Sequence, residues 1–332
     1  MLPHCAPNAT LAGPHLLVTT HSALIALRLD GGGRPRCTAV LDQGRGHYYS
    51  AIPLRSIVPD LDTNALLVGS QFLGSRRSGM SGADALLALG GGGGLLEAWP
   101  AHTRYLHATE WDRTSRALVS VDALSGKLEL HRAVRRGGAP SGIALEHAGT
   151  LATGVARDGA ADHLNNVAFT AEAIWAMRSQ VRADHSTVVA LRRGGDGDQL
   201  ASFDLDGRSC HQLVWRSQNE LLYLNSSIGG LAAACWPDGA DPAAGGPPTL
   251  HRVWAAGATH FSKGLTLHDD VAYVGLAARQ GRADGAPCPG CALQRNDADA
   301  EVAAVDLASG ELLWRAPLPV RGLVNAIAHF AG

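Results

Sequence analysis

Short apolar runs rich in Val, Leu, Ala and aromatic residues recur along the whole chain, broken by Gly, Asp, Asn and Pro. The stretch "HLNNVAFTAEAIWAMRSQ", His163 to Gln180, shows the unit: an apolar run, a short polar break, a second apolar run. Such runs bounded by turn residues are strand and hairpin signals. A helical period sustained over more than about ten residues is hard to find. The pattern predicts an all-β chain built from a repeat.

The hairpins align on the residue that closes the first run: Trp111, Phe169, Trp215, Leu267 and, more loosely, Pro59. A third run follows each hairpin, as in "STVVALRR", and "AEVAAVDLASGELLW" continues into a fourth. Four antiparallel strands alone leave an apolar face uncovered, so such units must stack on one another. Radial stacking predicts a β-propeller.

The residue four before each closing position is Arg55, His107, Asn165, His211 or Lys263, and a further step reaches Asn325 in "LVNAIAHF". The steps are about 52, 58, 46, 52 and 62 residues, the period of propeller blades with loop insertions. The C-terminal stretch reads as a first strand without its partners, and the N-terminal "HLLVTTHSALIALRLDGG" reads as later strands without a first. The expected fold is therefore a six-bladed β-propeller of four-stranded antiparallel blades, its last blade closed by N- and C-terminal strands. It forms one domain over 1–332, with loop insertions near 69–82, 135–161, 237–248 and 279–300. Blade two has a second register, in which "HYYSAIPLRSIVP" starts its inner strand at Tyr48 and Arg55 leaves the ring.

Composition narrows the picture. Apolar residues make up 46% of the 332 and charged residues 17%, enough for a large core. A formal net charge of −2 argues against nucleic acid; the one basic run, "RAVRRGG" from Arg132, reads as a solvated loop. No run approaches ~18 uninterrupted apolar residues, so no membrane span is expected. The first residues lack a signal-peptide pattern, and six Cys in a chain this long do not make a disulfide framework. The expected location is intracellular, in the cytoplasm.

In a propeller the first strand of each blade lines the central channel, so Arg55, His107, Asn165, His211, Lys263 and Asn325 are expected at one channel mouth. The plain reading is a polar ring that solvates a tunnel. Two functional readings stand beside it. His107, His163 and His211 suit a divalent metal ion, with zinc favoured over calcium because the donors are nitrogens. Arg55, Lys263 and the imidazoles, with Asn165 and Asn325, suit a small anionic ligand. Lys263 is one of two lysines, and beside other cations a lysine can serve as base or nucleophile, so His107, His211 and Lys263 are the candidate catalytic residues.

The blade pattern, best in "HLNNVAF" and "FSKGLTLHDDVAYVG", resembles the superfamily of six-bladed propellers that includes gluconolactonase-like, paraoxonase-like and strictosidine-synthase-like proteins. The resemblance implies a hydrolase or lyase with a channel-mouth site, holding calcium in the hydrolase members. Here Asn165 and Asn325 fall at matching positions, but no Asp or Glu does; the nearest acids are Glu110 and Asp162. "AVDLASGELLW", Ala304 to Trp314, is similar to the tryptophan-docking motif of quinoprotein blades, which implies a packing role.

Other signals carry less. "CPGC", Cys288 to Cys291, reads as a loop thiol pair, since no second C-x-x-C accompanies it. "GDGDQ" from Gly195 lacks the twelfth-position ligand of a calcium loop and reads as a turn. Two function classes stay open: a propeller that binds a small molecule or metal at its channel mouth, and a protein-interaction scaffold that uses blade faces and inserted loops.

Overall fold

The computed structural model describes residues 15–30, 35–43, 47–61, 63–71, 84–154, 163–179, 185–194, 196–244, 246–278 and 299–330. Blade one holds β1 (His15–Thr20), β2 (Ala23–Leu29) and β3 (Pro35–Gln43). Blade two holds β4 (His47–Tyr48) and β5 (Ile52–Pro53), which are two pieces of one inner strand, the one-turn helix α1 (Leu54–Ile57), then β6 (Leu66–Gln71), β7 (Ala85–Leu89) and β8 (Leu95–Pro100). Blade three is β9 (Leu106–Asp112), β10 (Ala117–Asp122), β11 (Lys127–Arg135) and β12 (Ile143–Ala152). Blade four is β13 (His163–Phe169), β14 (Ala173–Ser179), β15 (Thr187–Arg192) and β16 (Gln199–Asp204). Blade five is β17 (His211–Ser217), β18 (Glu220–Asn225), β19 (Gly230–Cys235) and β20 (Thr249–Ala255). Blade six is β21 (His260–His268), β22 (Val271–Ala278), β23 (Asp299–Asp306) and β24 (Leu312–Arg321). The last strand, β25 (Val324–Phe330), pairs with β1 and supplies the inner strand of blade one.

The expected fold is the observed one: six antiparallel blades, closed where the two ends of the chain meet. Closure pairs β25 with β1, so the inner edge of β1 is not left open. Apolar layers fill every joint of the ring. Leu17 and Leu24 meet Tyr48 and Val68 between blades one and two, and Leu54, Leu86, Leu106 and Leu118 fill the next joint. Val119 and Val121 meet Val167 and Val189 between blades three and four. Trp175, Phe203, Tyr223 and Trp236 cluster between four and five, with edge-to-face ring pairs at 5.4–5.9 Å. Leu222 meets Val274 between five and six, and Val302 meets Leu16 and Ile25 between six and one.

Turn chemistry follows the sequence. In "AVDLASGELLW" the Asp306 carboxylate accepts from the Ser309 N–H and hydroxyl at 2.7 Å, Gly310 takes φ +73°, and Trp314 packs on Tyr273. The likeness to the docking motif is thus one of packing. Asp122 repeats the turn in "SVDALSGKLEL", accepting from Leu124, Ser125 and the Ser125 hydroxyl.

Two expectations need correction. Arg55 is not on an inner strand: it sits in α1, with its guanidinium 5.5 Å from the Phe330 ring centre. Pro53 ends the strand and the apolar pair Ile57–Val58 continues as a helical turn rather than as a strand, so the alternative register of blade two is the observed one. Within the stretch expected as an insertion at 135–161, residues Ile143–Ala152 form β12, the outer strand of blade three. The C-x-x-C pair, Asp162 and Gly195 lie outside the described residues.

Candidate functional site

All six inner strands carry one extra residue near their start. β9 pairs Leu106 with Asp122 and then Ala108 with Val121, leaving His107 extra. β13 leaves Asn165, β17 leaves Gln212 directly after His211, and β25 leaves Asn325. β21 sets Lys263 and Gly264 against Gly275 alone. In blade two, Tyr49, Ser50 and Ala51 stand against Val68 and Gly69. A bulge at one height in every blade bends the strand and re-aims its side chain. Gly264 at φ +83° and Gln212 at φ +55° show the backbone this requires. Gly275 has no room for a side chain, because a Cβ there would lie 2.2 Å from the Lys263 carbonyl.

The bulges generate two tiers of side chains. The lower tier is Tyr49, His107, Asn165, His211, Lys263 and Asn325, all buried at 8% exposure or less. Two residues earlier on each strand stand His47, Tyr105, His163, Ser209, Phe261 and Leu323; of these, His47, Tyr105, His163, Ser209 and Phe261 are partly exposed and make an outer rim. The ring of His107 lies 4.8 Å from that of His163, 5.4 Å from Tyr49, 6.1 Å from Tyr105 and 6.2 Å from His211. Phe261 meets His211 edge-on at 5.1 Å, and Lys263 Nζ stands 4.9 Å above the Tyr49 ring. His21, from the β1–β2 turn, adds a fifth imidazole 4.5 Å from His47.

Of the residues expected here, His107, His163, His211 and Lys263 come together. Asn165 and Asn325 reach the same height, but their amides face the neighbouring blade: Asn165 Nδ2 donates to the Cys210 carbonyl at 3.0 Å and Asn325 Nδ2 to the Tyr48 carbonyl at 2.7 Å. Arg55 is replaced in the ring by Tyr49, which stands four before Pro53 by the same spacing as the other members. His21, His47, Tyr105 and Phe261 are the residues that sequence reasoning missed. His47 bears the same relation to Tyr49 as His163 bears to Asn165, and that offset was the signal available.

His211 is held in one orientation by its Nδ1. Its Nδ1 lies 2.7 Å from the Ser209 carbonyl and 2.9 Å from the Ser226 hydroxyl, which itself donates to the Ser262 carbonyl. A carbonyl only accepts, so Nδ1 carries the proton and Nε2 of the neutral ring is the basic nitrogen.

Below the tiers the channel opens into a cavity of about 720 Å³ lined by Ser50, Thr109, Glu110, Gln212, Trp215 and His329, among others. Glu110 accepts from Asn166 Nδ2 at 3.4 Å and, across the channel, from Gln212 Nε2 at 3.2 Å. Burial pushes its carboxyl up to about 7 against those two hydrogen bonds. At the far end Arg193 forks onto Asp112; burial raises this carboxyl, but the Arg193 guanidinium with the Ser115 hydroxyl and the Thr114 N–H together outweigh it, so the carboxyl is held below its ordinary value.

Among the described residues, the group of three His, Cys, Asp or Glu side chains whose ligand atoms lie within 4.8 Å of one another is Glu220, Cys235 and His251, on the outside of blade five, and not His107, His163 and His211. No helix of the described residues is long and apolar enough to cross a membrane.

No protein-family model matches the chain, and no curated protein sequence matches it significantly. Solved structures do. The periplasmic gluconolactonase of Pseudomonas aeruginosa aligns over 96% of this chain and 99% of its own at 14% identity, TM-score 0.57. A structure described as a putative 6-phosphogluconolactonase from Bacteroides fragilis aligns over 98% and 100% at 14% identity, TM-score 0.55. The calcium-binding protein regucalcin of Agrobacterium tumefaciens aligns over 85% and 78% at 10% identity, TM-score 0.51. In fold, then, the chain is a six-bladed β-propeller resembling gluconolactonase-like propellers along nearly its whole length.

Proposed function

We propose that the two-tiered mouth binds a small ester and hydrolyses it, a sugar-acid lactone being the substrate class that the structural neighbours suggest, and that it binds the hydroxy-acid anion that results. The observation that carries this reading is the convergence of His107, His163, His211, Tyr49 and Lys263 at one mouth, brought there by bulges at one height. Lys263 supplies a cation for the acyl oxygen as it gains charge and for the carboxylate of the product, and the partly exposed rim supplies the entrance.

His211 is the general base of this proposal. Its Nε2 takes a proton from water while the water oxygen bonds to the acyl carbon. The Lys263 ammonium faces the negative charge that develops on the carbonyl oxygen. The carbon–oxygen bond of the ester then breaks, and the departing oxygen takes the proton back from His211. Product is the hydroxy acid, and no redox partner is needed.

A calcium ion does not fit the lower tier, which offers imidazoles, amides, a phenol and an ammonium but no carboxylate. By donor type, His107, His163 and His211 would select a nitrogen-seeking divalent ion of the zinc kind over calcium, and such an ion, when bound, would supply an activated water. An intracellular setting accompanies the proposal, supported by the free thiols of Cys210 and Cys235.

The test is turnover of a panel of aldonolactones and aryl esters, followed by proton release, for wild type, His107→Ala and His211→Ala, each with and without chelator treatment. The reading expects lactone turnover by wild type, a loss of about 100-fold or more in His211→Ala, and melting temperatures within a few degrees of one another. Absence of turnover and of ligand binding in the wild type, or full activity in both variants, overturns it.

A further inference from the structure

Glu220, Cys235 and His251 stand on three successive strands of blade five, on the face that turns toward blade six. Glu220 of β18 pairs directly with Cys235 of β19, so the two side chains share a face. β19 and β20 carry a bulge: Leu231 pairs with Trp254 and Ala232 with Arg252, so Val253 is extra. The shift sets His251 opposite Ala233, and Ala233 and Cys235, two apart on one strand, point the same way. Without the extra residue His251 would stand opposite Ala234 and point to the other face. Leu222, Leu231 and Ala233 of this face join Val274 of blade six in one apolar layer, and the three donors lie at its outer edge.

Their ligand atoms all lie within 4.8 Å of one another, and Cys235 Sγ stands 3.8 Å from His251 Nδ1. Zinc bonds of about 2.3 Å to sulfur and about 2.0–2.2 Å to nitrogen or oxygen place tetrahedral donors roughly 3.3–3.6 Å apart. Small side-chain rotations therefore close the set around one ion. His251 is exposed and the other two are partly so, which opens the group to solvent and leaves a fourth position for water. Arg216 does not hold Glu220 exclusively. Its Nη1 lies 3.3 Å from Glu220, while its Nη2 lies 3.2 Å from Asp270 of blade six. The guanidinium keeps a carboxylate partner when Glu220 turns to a metal.

We propose that Glu220, Cys235 and His251 bind a late first-row divalent cation such as Zn²⁺ through one oxygen, one sulfur and one nitrogen, with water in the fourth position. A thiolate beside an imidazole selects zinc over calcium and magnesium. Binding releases the Cys235 thiol proton to solvent, and the metal–sulfur bond takes the place of the contact between Sγ and Nδ1. Three protein ligands and a water make an exchangeable site, not the closed four-ligand kind. The ion ties β18, β19 and β20 together beside the joint with blade six. The site is separate from the channel mouth, where His107, His163 and His211 offer nitrogen alone, and it does not depend on the ester hydrolysis proposed there.

The test is Co²⁺ titration of chelator-treated protein in a Cys288→Ser/Cys291→Ser background, which removes the C-x-x-C pair. It is read by the near-ultraviolet thiolate-to-cobalt charge-transfer band, which ligation by imidazole alone does not give, and by loss of that band when Zn²⁺ competes. The site predicts one equivalent of Co²⁺ bound with a dissociation constant below about 100 µM. It predicts no charge-transfer band in Cys235→Ser, affinity weaker by about 10-fold or more in His251→Ala and in Glu220→Gln, and an unchanged band in His107→Ala. The three replaced side chains reach solvent, so each variant should melt within a few degrees of the background protein. No band in the background protein, a band that persists in Cys235→Ser or is lost in His107→Ala, or unchanged affinity in either His251→Ala or Glu220→Gln overturns the assignment.

Discussion

Lys263 Nζ stands 4.9 Å above the ring of Tyr49, although blade one separates the strands that carry them. Each residue occupies the bulge of its own inner strand, so the contact measures how closely the six bulges share one height. The aromatic face supports the ammonium where water is scarce, and it holds the one lysine of the mouth against the histidines.

Replacing Lys263 with Met is expected to weaken binding of a small organic anion about 10- to 150-fold, the equivalent of a charge-assisted hydrogen bond of about 1.5–3 kcal/mol. Isothermal titration at fixed ionic strength reads this directly. Unchanged affinity removes Lys263 from the site.

The asparagines of the lower tier should behave as ties between blades. Asn165→Ala leaves the Cys210 carbonyl without its donor, and Asn325→Ala does the same to Tyr48. Each should lower unfolding free energy by about 1–3 kcal/mol, measured by urea denaturation, with ligand affinity in the folded protein nearly unchanged.

Glu110 makes stability depend on pH in an unusual direction. Its carboxyl is raised to about 7 in the fold, above its ordinary value near 4.5. Between those values the folded state holds a proton that the unfolded chain releases, so this group's contribution to stability is present below about 4.5 and is lost as pH rises through about 7. Glu110→Gln should flatten that slope and leave the variant relatively more stable than wild type at pH 8. Melting temperatures across pH 4.5–8 check it; parallel curves contradict it.

Asp112 has the opposite sign. Against its burial, the carboxyl is held below the ordinary value by Arg193, Ser115 and Thr114 together, so its contribution is present above the unfolded-state value and is lost as pH falls through the lowered one. Arg193→Ala strands a carboxylate that is 1% exposed. The expected cost is about 3–5 kcal/mol, because breaking one side of a buried pair leaves an uncompensated charge. Denaturation at pH 7 measures it, and a loss under about 1 kcal/mol contradicts the buried-pair account.

The architecture was legible because each blade repeats its apolar runs and its turn, and because strand incompleteness at one end answered strand excess at the other. His107, Asn165 and Lys263 were legible for a narrower reason: a polar residue four before the closing position marks a bulge, and a bulge faces the axis. Arg55 misled because Pro53 splits the inner strand of blade two, and the apolar Ile57 that follows belongs to a helical turn. The partners of His107 on the rim were harder to read, since a residue two positions earlier joins the site only once the blades stand side by side. The group of Glu220, Cys235 and His251 had no linear signature at all. It depends on the extra residue at Val253, which sets His251 on the face of Cys235.

The central claim is that the histidines of the mouth, and not those elsewhere, meet the ligand. Histidine-selective ¹⁵N labelling, with a sugar acid titrated into the wild type, tests it most directly. The account predicts saturable shifts of the imidazole nitrogens of His107, His163 and His211, assigned by single substitutions, with His131 and His147 of blade three and His251 of blade five unmoved. Shifts confined to residues outside the mouth, or none at saturating ligand, would contradict it.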